Sequence, residues 1–193
     1  MYPLFIKKVT MHQRIIFALS ALLLLGGCQT SSPDRNTPKT YFDLEQLLRN
    51  AQAQLTTQNP VITKTIIRDA QTETQRLNIP NWEHELEVFR AADINKPVWR
   101  DSYQTSQQGD TLTYTAKAAE ELPVRQLRIL QNKDSLYIWA SYQQTTPFFD
   151  TQRQLMMRFA LPHQLAFYQA DIQQGNIGQA NSSLKIVAQI NSQ

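Results

Sequence analysis

Four residues in this 193-residue chain carry side chains with chemistry of their own to assign: one cysteine and three histidines. Cys28 follows Leu24-Leu25-Gly26-Gly27 at the end of an apolar run. Small residues just before a cysteine suit a peptidase that cuts there and leaves the cysteine as an acylated first residue. The segment has the form of a bacterial lipobox, so lipidation of Cys28 and cleavage between Gly27 and Cys28 are expected. His84-Glu85 opens like a His-Glu-x-x-His zinc motif, but Val88 stands where the second histidine belongs. A zinc site needs three or four ligands. His84 therefore reads as an exposed residue of a first helical turn, and His163, after Pro162, as a turn residue.

Other constellations fall short for similar reasons. Glu83, Glu85 and Glu87 alternate along the chain. On a helix that spacing scatters the carboxylates instead of pairing them for acid–base work. A helix N-terminus is the simpler reason for them. No Gly-x-Ser-x-Gly elbow or P-loop occurs, and Gly175-Asn176-Ile177-Gly178 lacks the third glycine of a dinucleotide loop. The expectation is a protein that is not an enzyme, with no catalytic residue, cofactor or metal. Aromatic residues are the remaining candidates, as a contact surface rather than a reaction centre. Tyr137 and Trp139 alternate in a strand-like run and so share a face, which Tyr168 is expected to join if the strands pair suitably. Phe148 and Phe149, after Pro147, fall in an expected loop and complete the candidate surface. Most other aromatics read as core.

The elements around these residues begin with a signal segment. Lys7, Lys8 and Arg14 precede an apolar stretch from Ile15 to Leu25. About 11 residues is too short to span a hydrocarbon core that needs ~20. Met11 also serves as a start, since His12-Gln13-Arg14 is a sufficient basic region. Three of the 19 basic residues precede Cys28 and all 16 acidic residues follow it, so the mature chain balances at 16 of each. A nucleic-acid surface needs Lys and Arg gathered on one face, and no such run exists. With Cys28 acylated, the mature domain has no thiol and no disulfide. It must be held by its core alone, which 166 residues permit.

Residues 29–39 contain no large apolar side chain and read as a tether of at most ~35 Å. A first helix is expected over Tyr41–Gln58, capped by Thr40, with Tyr41, Leu44, Leu48, Ala51 and Leu55 on one stripe. Val61–Ile67 and Thr72–Leu77 suggest a hairpin. A second helix should start after Asn81 and stop by Asn95, because Lys96-Pro97 disfavours continuing it. Seven further strands are expected: 98–105, 111–116, 125–131, 135–142, 155–161, 165–172 and 184–190. Their short connections make neighbours antiparallel. The expected fold is α+β: residues 40–193 as one domain, with two amphipathic helices on a meandering antiparallel sheet able to curve strongly.

Several segments also carry a resemblance: Thr63-Lys64-Thr65, Asn81-Trp82-Glu83-His84-Glu85-Leu86, Phe89, and Ala92-Asp93-Ile94-Asn95-Lys96-Pro97-Val98-Trp99. Over residues 40 to about 142 the chain resembles uncharacterised bacterial envelope lipoproteins of similar length. Asp-Ile-Asn-Lys-Pro-x-Trp is the most specific part. That family has no established activity, so the resemblance transfers no functional residue. Asp93 and Asn95 suit an Asx turn, Pro97 a helix stop and Trp99 an anchor for the next strand. Gln29, directly after Cys28, resembles the residues that permit onward sorting to the outer membrane. The functional expectation is a periplasm-facing outer-membrane lipoprotein, held to the membrane by Cys28 and acting as an accessory or binding module toward an envelope protein. The alternative is a carrier of a lipid or other apolar ligand on a curved sheet under a helical lid.

Overall fold

The computed structural model describes residues 39–176 and 181–191. The fold is mostly β: a nine-stranded, wholly antiparallel open sheet with one long helix packed on it. Helix α1 (Leu44–Gln58) is capped by Asp43, whose carboxylate accepts from the Gln46 N–H at 3.0 Å. Thr40 is thus not the cap. Asp43 leaves one turn fewer at the start and satisfies an N–H that the helix cannot. Leu44, Leu47, Leu48, Ala51 and Leu55 form its buried stripe. Asn59, in the left-handed region at φ 43°, ends it, and Pro60 follows.

Strands β1 (Val61–Arg68) and β2 (Gln71–Asn78) form a hairpin. Its two-residue turn puts Asp69 and Ala70 at φ 47° and 71°, the twist that a tight hairpin requires. The expected second helix is only two single turns, α2 (Trp82–Glu85) and α3 (Glu87–Arg90). Asn81 caps the first as expected, accepting from the His84 N–H at 3.0 Å. Trp82, Leu86 and Phe89 are buried, so the turns exist to plant apolar side chains rather than to extend a helix. This shortening shifts the class from α+β toward mostly β.

The remaining strands are β3 (Tyr103–Gln108), β4 (Thr111–Ala116), β5 (Val124–Gln131), β6 (Ser135–Thr145), β7 (Phe149–Ala160), β8 (Gln164–Asn176) and β9 (Ser182–Ile190). The expected 98–105 strand starts late because Pro97–Trp99 is a 3-10 turn. Proline pre-sets the φ of such a turn. The sheet order is β2-β1-β9-β8-β7-β6-β5-β4-β3. Seven strands thus meander, and the N-terminal hairpin adds to the last of them. Residues 79–102 therefore connect the two opposite edges of the sheet.

Alternation assigns the faces. Ile62, Leu127, Ile138, Met157, Phe159, Tyr168 and Ala188 point to one face and are fully buried under α1 and the 79–102 crossover. Each such aliphatic or aromatic side chain contributes about 1.5–3 kcal/mol on burial. The Asp-Ile-Asn-Lys-Pro segment ties these covering pieces together. Asn95 Oδ1 accepts from the Tyr41 N–H at 3.0 Å, and its amide donates to the Phe42 carbonyl at 2.9 Å. The expected Asx turn is present, with Asn95 N–H on Asp93 Oδ1 at 3.3 Å. Trp99 packs half-buried against the core.

Candidate functional site

The opposite face of the sheet carries the expected aromatic pair. Strand alternation turns Tyr137 and Trp139 away from buried Leu136, Ile138 and Ala140. Their rings stack with centroids 5.6 Å apart and planes 8° from parallel. The Arg128 guanidinium lies 5.3 Å from the Trp139 ring centroid, a cation–π contact that register dictates because Arg128 pairs with Trp139. Across the sheet, Arg158 and Phe167 extend the Tyr137 row, and Met156 and Gln169 extend the Trp139 row. These apolar side chains are half-buried by their neighbours alone, because no described element covers this face. Arg128 and Arg158 have no carboxylate partner among the described residues.

Tyr168 does not join this group. It faces the helix side, 1% exposed, with its ring edge-on to Phe89 at 5.6 Å. The reason is register: Tyr168 pairs with Met157, which pairs with buried Ile138 rather than with Tyr137 or Trp139. The Tyr168 hydroxyl donates to Glu85 Oε1 at 2.7 Å, and Lys64 Nζ reaches both Glu85 oxygens at 2.7 and 2.8 Å. Glu85 thereby latches the crossover to β1 and β8 at once. Burial pushes the Tyr168 phenol well above its ordinary pKa, and the Glu85 charge and hydrogen bond add to the rise. Burial likewise raises Tyr103, with Tyr41 adding and Arg125 opposing. In the sequence Glu85 is indistinguishable from Glu83 and Glu87. The overlooked signal was Lys64, a charge inside a β-branched strand, which needs an acidic partner when covered.

Phe148 and Phe149 part company. Phe149 opens β7 rather than lying in a loop, and is half-buried. Phe148, at the tip of the β6–β7 hairpin, is 77% exposed. Cys28 and Gly27 lie outside the described residues.

No family model, curated protein or solved structure matches the chain.

The remaining chemical candidates are separated by the fold. His84 and Glu87 approach at 3.4 Å, but their side chains are 82% and 74% exposed, so the pair is a solvated contact. His163 sits in the β7–β8 turn at φ 96°. Ser182 and Lys185 have Ser-x-x-Lys spacing, yet on strand β9 that spacing puts them on opposite faces. Lys185 instead meets Asp171 at 3.4 Å. Among the described residues no group of three or more His, Cys, Asp or Glu is placed to hold a metal ion, and no helix is long and apolar enough to cross a membrane. A hollow of about 460 Å³ lies at the foot of α1, lined by Gln54, Leu55, Gln58, Pro60, Leu165 and Ile190 among others. Its amide-rich rim suits water better than an acyl chain.

Proposed function

We propose that this chain is a lipid-anchored envelope lipoprotein whose sheet domain is a non-enzymatic binding module. It is held through Cys28 to the periplasmic side of the outer membrane. The observation that carries the binding reading is the uncovered sheet face, where the Tyr137–Trp139 stack lies between Arg128 and Arg158, two cations without carboxylate partners. Aromatic rings beside arginine are the side chains that dominate protein interfaces. Nothing in the domain uses them for its own packing to the degree that Phe159 or Tyr168 is used. An envelope protein with an acidic, apolar-centred surface is the partner this face fits.

The anchor rests on the sequence around Cys28. A fatty-acid probe should label the protein, and Cys28→Ser should abolish the label; labelling that persists places the anchor elsewhere. Fractionation of two-membrane cells should recover the protein with outer membranes. Recovery only in inner membranes refutes the sorting. The carrier reading has less support, because the helix-covered face is filled by side chains such as Phe159 and Tyr168. Native mass spectrometry of the released protein checks it: an apolar ligand that copurifies would reinstate the carrier.

A further inference from the structure

The β6–β7 hairpin presents Phe148 on a closed turn. The Thr146 N–H donates to the Phe149 carbonyl at 2.8 Å, and Thr146 Oγ1 accepts from the Phe148 and Phe149 N–H groups at 3.3 and 3.1 Å. The Asp150 carboxylate is held by the Thr145 hydroxyl at 2.8 Å. The tip thus satisfies its own N–H groups and offers outward a proline and a phenyl ring, with no charge from Gln143 to Phe149. Its strands are flanked on both sides: the Gln143 N–H donates to the Pro123 carbonyl at 2.7 Å, and Phe149 pairs with Asn176 of β8. Only the turn residues 146–148 lie beyond the last paired positions, and Phe148 among them is 77% exposed.

The end of the sheet that bears this tip is the end where the chain enters. Tyr41 packs edge-on against Tyr103 at 5.5 Å and donates its hydroxyl to the Trp99 carbonyl at 3.2 Å. Tyr103 in turn donates to the Val124 carbonyl at 2.9 Å. Val98, 84% exposed on the 3-10 turn beside Tyr41, is the other large apolar residue more than three-quarters exposed among the described residues. From Lys39 the chain runs back to Cys28 through ten residues.

We propose that the Pro147–Phe148 tip, seconded by Val98, enters the headgroup region of the phospholipid surface that holds acylated Cys28. This rests on the anchored reading above. A lipid interface fits better than a protein socket, because a tip whose N–H groups are already bonded offers apolar area and no free backbone donor. The acidic Asp150 beside it favours a zwitterionic surface over an anionic one. One phenyl ring does not retain a free domain at a membrane. With the anchor in place the contact is intramolecular, and it sets which end of the sheet faces the lipid.

The test uses the acylated full-length protein in vesicles of phosphatidylethanolamine and phosphatidylcholine. Acylation consumes the Cys28 sulfur, so Gln144→Cys in the hairpin and Lys133→Cys at the far end of the sheet each offer one thiol to an environment-sensitive dye. The dye at 144 should be quenched several-fold more than the dye at 133 by a lipid-borne quencher. Adding Phe148→Asp should return the 144 signal to the level at 133. Equal quenching at 144 and 133 on vesicle-bound protein, or quenching at 144 that survives Phe148→Asp, overturns the proposal alone. Dye uptake by Cys28 in the unsubstituted chain overturns the anchored reading and this proposal with it.

Discussion

The two faces of this sheet have similar raw material and opposite fates. On one, Phe159, Tyr168, Ile138 and Met157 are 2% exposed or less beneath α1 and the crossover. On the other, Tyr137, Trp139, Met156 and Phe167 are only half-buried and flanked by Arg128 and Arg158. Large apolar residues on both sides of a strand normally mean that both faces are covered. Here only one face is covered by the described chain. The difference separates residues that hold the fold from residues available to something outside it.

Substitutions should break the symmetry in a graded way. Phe159→Ala on the covered face should cost about 3–5 kcal/mol in urea unfolding, since a cavity opens where the ring was. A loss below about 1 kcal/mol would mean that α1 does not seal this face. Glu85→Ala removes the shared partner of Lys64 and the Tyr168 hydroxyl. The expected loss is about 2 kcal/mol, with Glu85→Gln milder because it still accepts from Tyr168. A neutral outcome would show the latch to be ornamental. On the open face Trp139→Ala should cost about 1 kcal/mol, the loss of one stack and one cation–π contact in a half-solvated setting. A cost equal to that of Phe159→Ala would mean that this face is core after all.

The smallest effect is confined to alkali and is absent at neutral pH. The raised phenols of Tyr168 and Tyr103 stay protonated in the folded protein above pH 10, where the unfolded chain begins to ionise at its ordinary tyrosine pKa. The unfolded state then binds fewer protons, so stability is fully present below about pH 10 and falls as pH rises further. Urea midpoints should therefore be flat from pH 7 to 9 and drop beyond 10. Tyr168→Phe should flatten part of that drop.

Much of this architecture is legible in the sequence because it follows local rules. Eight of the strands are visible as β-branched or alternating runs, and turns as Asn, Asp and Gly positions such as Asn132 and Gly109; β3, the polar run Tyr103–Gln108, overlaps its expected span at 103–105 alone. Gly109 takes φ 56° in the β3–β4 turn, a conformation open to glycine without strain. The length of the second helix is not legible, because Trp82, Leu86 and Phe89 have helical spacing whether they sit on one helix or on two turns. Strand order is not local. The pairing of β1 with β9 joins residues 120 positions apart at Ile66↔Ile186, and no short-range pattern encodes it. That pairing and the β7–β8 register decide that Tyr168 meets Glu85 instead of Tyr137. The Tyr137–Trp139 pair was legible because alternation within one strand suffices to align it.

The contrast between the faces is tested most directly by hydroxyl-radical footprinting of the protein in intact envelopes and after solubilisation. Tyr137, Trp139 and Met156 should be protected in the envelope and become reactive on solubilisation, while Tyr168 and Phe159 stay protected in both. Equal reactivity of Tyr137, Trp139 and Met156 in the two states would contradict a binding role for the open face.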